Sequence, residues 1–143
     1  MSNITSLQIG QNKIEIEGKW VIASNNLINH EFNKAKGTYT YDLSQYLPND
    51  DYIYELYIHV SIGENSNELV IATVKTDLEN RTQRVITLYP WTNNVSQYND
   101  NDISLLIGKE RKVYVNFNNS PQESAVQILK YKRLYKDTRI LED

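Results

Sequence analysis

A long alternating segment, residues 52–62, constrains the fold of this chain more than any other part of its sequence. Its even positions are aromatic or aliphatic, whereas its odd positions are mostly polar. A side-chain period of two over about ten residues is typical of a strand with one face on a core and one face toward water. The preceding Leu47-Pro48-Asn49-Asp50 predicts a turn, because the proline fixes φ at the second turn position and the two residues after it tolerate the angles that follow. We therefore expect a strand over 38–43, a turn and a long strand.

Short apolar segments separated by turn signals recur along the rest of the chain. Eleven tyrosines against one methionine also favour strands, since aromatic residues suit pleated, half-buried surfaces. No amphipathic helix is evident. About nine or ten short strands with little helix predict an all-β fold, an antiparallel β-sandwich that is jelly-roll-like. We expect one domain over 1–143, with candidate extended arms at 1–12 and 136–143, and we assign 25–36 and 91–101 to loops.

Balanced charge and the lack of cysteine argue against several function classes. The chain has 15 basic and 18 acidic residues and a net charge of −3, so no long-range field attracts nucleic acid or an anionic membrane. Without cysteine there are no disulfides, no cysteine-ligated zinc and no thiolate nucleophile. No stretch approaches the roughly 18 apolar residues that span a bilayer. We expect neither a nucleic-acid nor a membrane partner.

The residues that catalysis commonly uses are scarce. The two histidines, His30 and His59, are predicted to lie in a polar loop and on the outer face of the long strand. No hydrolase, zinc-protease or phosphate-binding motif is present. The run from Asn99 to Asp102 offers oxygen ligands for calcium but lacks the glycine and glutamate of the helix-loop-helix calcium site, so a solvated turn is the simpler interpretation. The sequence therefore predicts no enzyme, no cofactor and no metal site.

The best candidate for ligand binding is the loop that follows Pro90. Trp91 could stack on a sugar ring while Asn93 and Asn94 hydrogen-bond its hydroxyls, with Tyr98 nearby. The alternative interpretation is that Trp91 covers the end of the sandwich as part of the core. The other tryptophan, Trp20, begins an apolar segment and is predicted to be a core residue.

A basic stretch near the C-terminus is the second candidate surface. It is a candidate docking arm for an acidic patch on a larger assembly, formed by Lys130, Lys132, Arg133, Lys136 and Arg139. The simpler alternative is that these lysines lie on an edge strand and discourage aggregation.

The segment Tyr41-Asp42-Leu43-Ser44-Gln45-Tyr46-Leu47-Pro48-Asn49-Asp50, followed by Tyr52-Ile53-Tyr54-Glu55, resembles a pattern in virion proteins of tailed bacteriophages. It is similar to small β-sandwich head and tail accessory proteins of crAss-like phages, in which this sequence pattern joins two strands. The segments 111–115 and 129–133 lie where that pattern has a basic-flanked strand and a final strand. The resemblance covers about half of the chain, and its motif is structural, so it carries over no functional residue. This chain has asparagine where those proteins tend to have glycine and serine between strands.

The resemblance implies a non-enzymatic structural protein of a bacteriophage virion, either a head decoration or auxiliary subunit or a fibre-base subunit. It implies capsid or tail proteins as partners, location in the virion after assembly in the host bacterial cytoplasm, and a homo-oligomer, for example a trimer. The alternative function is a carbohydrate-binding adhesin or receptor-binding domain that binds a glycan through the Trp91 loop.

Overall fold

The computed structural model describes residues 6–9, 12–15, 18–78, 83–90 and 95–140, the side chains of 6–9, 12–15 and 24–26 excepted. This part of the chain folds into β-strands without a helix. The strands are β1 (Ser6–Ile9), β2 (Asn12–Glu15), β3 (Trp20–Phe32), β4 (Gly37–Asp42), β5 (Tyr52–Glu64), β6 (Val70–Thr76), β7 (Gln83–Leu88), β8 (Gln97–Ile107), β9 (Lys112–Phe117) and β10 (Glu123–Lys136).

The strand order is that of a long hairpin rolled into two sheets. β1 and β2 pair with each other, and the other strands form two four-stranded sheets with the orders β3-β10-β5-β8 and β4-β9-β6-β7. The first half of the rolled chain pairs with the second half in reverse order, as β3·β10, β4·β9, β5·β8 and β6·β7, and every pair is antiparallel. The pairs β10·β5 and β6·β9 complete the two sheets. Eight strands in this order make a jelly roll, so the predicted antiparallel, jelly-roll-like β-sandwich is confirmed.

The core lies between the two sheets and follows the side-chain period of the strands. In β5 the predicted alternation is confirmed, since Leu56, Ile58, Val60 and Ile62 are completely buried. The intervening polar residues of β5 remain partly exposed on the outer face. Aliphatic residues of the opposite sheet meet this row from the other side, among them Val70, Val74, Val113 and Val115.

The prediction of a loop over 25–36 is wrong for 25–32, because β3 continues to Phe32, and is confirmed only for 33–36, between β3 and β4. Pairing of β3 with β10 is interrupted by register shifts between Val126 and Gln127 and between Ile128 and Lys130. Each shift breaks the alternation by which a strand is recognised in a sequence. As an edge strand, β3 also tolerates polar residues that a central strand would not.

The run Asn99 to Asp102 lies within β8 rather than in a turn, so that prediction is also wrong. Polar partners on the neighbouring strand β5 explain why the two aspartates of this run are accepted in a sheet. The Ser61 hydroxyl donates to Asp100, and His59 Nδ1 lies 2.6 Å from a carboxylate oxygen of Asp102. Such cross-strand pairs stabilise a solvated sheet face.

Asp50 is the centre of a buried polar network at one end of the sandwich. One oxygen of its carboxylate accepts from Arg111 at 2.8 Å, and the other accepts from Arg133 at 2.7 Å and from the Tyr54 hydroxyl at 2.6 Å. Burial and the bond to Asp50 raise the pKa of Tyr54 well above its usual value, so the hydroxyl remains a donor. The network joins the turn before β5 to β5 and β10.

Arg111 connects this turn to the turn between β8 and β9. Its side chain is buried and its backbone is left-handed, with φ of 58°. Such a conformation is uncommon for a residue other than glycine and is retained when surrounding contacts fix it. Besides the Asp50 carboxylate, the guanidinium donates to the backbone carbonyl oxygens of Pro48, Asp50, Tyr52 and Gly108.

The network predicts a large loss of stability on removal of the Asp50 carboxylate. In Asp50→Ala the buried Arg111 loses its counter-charge, so we expect the free energy of unfolding to fall by about 3–5 kcal/mol. Asp51→Ala is the control, because the Asp51 side chain is exposed, and it should change stability by at most about 0.5 kcal/mol. Chemical denaturation measures both variants. Similar values for the two would contradict the central role of Asp50.

Candidate functional site

Of the residues predicted to form a sugar-binding loop, Trp91, Asn93 and Asn94 lie outside the described residues. Tyr98 lies in β8, and its ring covers Gly63 of β5 so closely that a Cβ atom at Gly63 would lie 2.5 Å from a ring carbon. The Tyr98 hydroxyl donates to Glu123 at 3.2 Å. The other oxygen of the Glu123 carboxylate lies 2.9 Å from His30 Nε2. Tyr98 is therefore part of a cross-strand row on the outer face of the first sheet.

The predicted docking arm is divided among different environments. β10 lies between β3 and β5, so the alternative that its lysines lie on an edge strand is wrong. Lys130 and Lys132 project from the outer face of the first sheet, whereas Arg133 bonds to Asp50 in the buried network. Lys136 is exposed at the end of β10.

Trp20 lies beneath the two lysines of β10. The ammonium groups of Lys130 and Lys132 lie 4.5 and 4.7 Å from the centre of its ring, and Tyr57 meets it edge-on at 6.4 Å. Glu55 neutralises one of the cations, with an oxygen 3.3 Å from Lys132 Nζ. The prediction of Trp20 as a core residue is wrong, because the irregular register places it opposite Lys132 on the outer face of the sheet.

The described end of the candidate arm 136–143 is fastened to the sandwich. Arg139 pairs with Asp137 at 2.6 Å and with Asp77 at 3.0 Å, and the backbone N–H of Lys109 donates to Asp137. These hydrogen bonds, chiefly that of the Arg139 guanidinium, hold the pKa of Asp137 well below its usual value. Asp137 and Arg139 thus join the chain after β10 to the turn between β8 and β9.

The outer face of the second sheet carries a groove of about 360 Å³. One wall is a cross-strand pair of long side chains, Lys75 of β6 and Tyr114 of β9. The adjacent row consists of the shorter side chains of Thr38, Asn116 and Thr73, from β4, β9 and β6. A row of short side chains beside a row of long side chains produces a depression in an otherwise flat sheet face.

Strand β3 forms an edge of the first sheet. Among the described strands it pairs only with β10, so its other side presents backbone donors and acceptors that no strand uses. Three large apolar side chains of β3 are exposed, namely Ile22 at 77%, Leu27 at 53% and Phe32 at 62% of their surface. An unpaired edge of 13 residues with apolar side chains is an unusual feature for a protein surface.

The histidine and carboxylate side chains of the described residues do not converge on a metal centre. No group of three or more histidine, aspartate or glutamate residues in this part of the chain is placed to hold a metal ion. The two histidines each meet one carboxylate across neighbouring strands. Nor does the described part of the chain contain a helix long and apolar enough to cross a membrane.

No protein-family model and no curated protein matches the chain. The resemblance to virion accessory proteins therefore stays a prediction. Among the described residues, the candidate binding surfaces are the groove and the β3 edge. Sequence reasoning missed both. The signal available for the groove was the alternation of Tyr114 and Asn116 with the buried residues of β9, which is typical of a polar outer face.

The depressed pKa of Asp137 predicts a loss of stability in acid. A carboxyl group with a lowered folded-state pKa contributes stability above its unfolded pKa of about 3.9, and this contribution is lost as the pH falls through the folded-state pKa. Asp137→Asn should therefore be less stable than the natural chain at pH 7, and the difference should shrink below about pH 4. Asp51→Asn is the control. Urea denaturation across pH measures the effect, and a difference independent of pH would refute it.

The position of Trp20 predicts a modest cost for its removal. Trp20→Ala loses two partly exposed cation–π contacts of about 0.5–1 kcal/mol each, so we expect a loss of about 1–2 kcal/mol. Leu56→Ala in the completely buried row should cost about 2–5 kcal/mol. Denaturation curves compare the two. A cost for Trp20→Ala equal to that of Leu56→Ala would place the indole in the core.

Proposed function

We propose that this chain is a non-enzymatic structural protein of a tailed-bacteriophage virion, a head decoration or auxiliary subunit or a fibre-base subunit that binds other virion proteins. The fold is compatible with this role, since jelly rolls are used in viral capsid proteins as well as in lectins. A fold alone does not define a function, so the proposal needs support from particular residues.

The segment that carries the resemblance to virion accessory proteins provides one such support. Residues 41–55 form the end of β4, the turn and the start of β5, and within them Asp50 and Tyr54 belong to the buried network. The residues of the shared pattern therefore form one corner of the sandwich. They favour a common architecture rather than a common ligand.

The β3 edge is the observation on which the proposal chiefly rests. A second chain can add a strand to an open sheet edge, with backbone hydrogen bonds for affinity and side-chain contacts for specificity. Ile22, Leu27 and Phe32 give this edge an apolar strip that a partner would remove from water. We propose that β3 is covered in the virion by a strand of the neighbouring subunit, a capsid or tail protein.

The adhesin alternative, in which the Trp91 loop binds a glycan, has a different signature. It needs no contact at β3, and it requires that glycan binding be lost on removal of Trp91. A variant changed only at β3 therefore separates the two functions.

The proposal predicts that the purified protein binds virus particles through β3. We expect it to co-sediment in a fixed ratio with crAss-like phage capsids or tails that lack their accessory subunits. The double variant Ile22→Lys/Phe32→Lys should bind at least about tenfold more weakly, because charged residues on an edge oppose strand addition. Val85→Lys is the matched control, since Val85 is an exposed residue of β7, which is an edge strand of the second sheet.

Light scattering on the protein alone then identifies the neighbour. A discrete oligomer that the double variant converts to monomers would assign β3 to a contact with a second copy of the chain and overturn its assignment to a capsid or tail protein. Unchanged particle binding by the double variant would refute the role of β3. Absence of binding to every virion component would refute the proposed function.

A further inference from the structure

We propose that the groove on the second sheet binds an acidic saccharide, a short sugar chain that carries a carboxylate. This inference goes beyond the role in the virion, and it concerns a surface separate from the β3 edge. It rests on the shape of the groove, on its hydrogen-bonding groups and on its charge.

The size of the groove suits a small ligand. Its volume of about 360 Å³ is at the lower end of the range for small-molecule sites, about 300–1,000 Å³. The wall formed by Tyr114 includes an aromatic ring, and such rings provide an apolar surface with a polar tip. A mono- or disaccharide combines the same two properties, with an apolar ring face and polar hydroxyls.

The short row of the groove offers neutral donors and acceptors. The Asn116 side-chain amide donates to the Thr38 hydroxyl at 2.8 Å. This bond fixes the orientation of Asn116 and leaves its carbonyl oxygen and its second N–H for a ligand. Thr73, opposite Asn116 on β6, adds another hydroxyl. A row of hydroxyl and amide groups at strand spacing matches the alternating hydroxyls of a sugar.

Lys75 gives the groove a positive charge. Within the described residues its ammonium group has no ion-pair partner. The carboxylate of Asp42 on the same face lies at the end of the sheet, opposite Lys112. A carboxylate on the ligand would therefore find its counter-charge at Lys75, in a charge-assisted hydrogen bond.

The position of the groove within the sheet argues against a peptide as the ligand. It lies mainly over β9 and β6, which are interior strands with hydrogen-bonded neighbours on both sides, and the edge strand β4 contributes Thr38. A peptide strand cannot be added there, because the backbone groups of both strands already pair in the sheet. One lysine on a chain of net charge −3 also provides little attraction for nucleic acid. A saccharide, which side chains alone can recognise, therefore suits the groove better than a peptide or a nucleic acid.

The test is a titration with digalacturonic acid, followed by backbone amide shifts in nuclear magnetic resonance. We expect the largest shifts at Thr73, Lys75 and Asn116, and weaker binding of the neutral dimethyl ester by about tenfold. Lys75→Gln should weaken binding of the acid by about tenfold, and Thr73→Val by about threefold to tenfold. Thr87→Val on the same face and Lys136→Gln at the end of β10 are controls that should not change the affinity.

The comparison of acid with ester uses the natural chain, so it tests the proposal even where a variant folds poorly. Equal affinity for acid and ester, an unchanged affinity in Lys75→Gln, or shifts confined to another surface would overturn the proposal. An acidic peptide that binds more tightly than digalacturonic acid would overturn the saccharide assignment. The Ile22→Lys/Phe32→Lys variant should bind digalacturonic acid normally, which keeps this test independent of particle binding.

Discussion

The ion pair between Asp50 and Arg111 is the interaction on which the rest of the structure depends. A rolled hairpin must cross from one sheet to the other at its corners, and backbone carbonyls in those crossings have no ladder partner. The Arg111 guanidinium satisfies carbonyls from both crossings at one end, while Leu43 N–H donates to the Arg111 carbonyl at 2.7 Å. Arg133 and Tyr54 then link the same carboxylate to β10 and β5. Two corners far apart in sequence are thereby fixed to each other, and the sheets between them are aligned.

With the corners fixed, the two outer faces differ in how their polar groups are used. On the first sheet the polar side chains largely satisfy one another, as in the pairs of His59 with Asp102 and of Ser104 with Glu55, at 2.6 and 2.8 Å. A ligand would have to break these pairs before it gained its own. On the second sheet Asn116 and Thr38 also bond to each other, but Lys75 has no ion-pair partner among the described residues. The saccharide proposal therefore rests on the second face, although the first face carries more aromatic and charged residues.

The sequence predicted well the parts of the fold in which the chain alternates without interruption. β5 shows its period of two because both of its neighbours keep register along most of its length. β3 was missed where bulges break that period, and β8 was missed where aspartates are accommodated by partners on β5. Both failures arise from contacts with other strands, which a local pattern does not contain. The groove was missed for the same reason, since Lys75 and Tyr114 become neighbours only through the pairing of β6 with β9.

The β3 edge and the groove lie on different sheets, and this separation has a consequence for how the two proposed functions combine. A subunit attached through β3 uses the edge of the first sheet, whereas the groove lies on the outer face of the second sheet, mainly over the interior strands β6 and β9. An open groove that contacts one or two sugar units gives only weak affinity by itself. When many copies are attached to one particle, every binding event after the first is intramolecular. The avidity of the particle then exceeds the single-site affinity by about 10²–10⁴, provided that several copies can bind at once. The two proposals are therefore compatible, because attachment of many copies through β3 would provide the multivalency that weak binding in the groove requires.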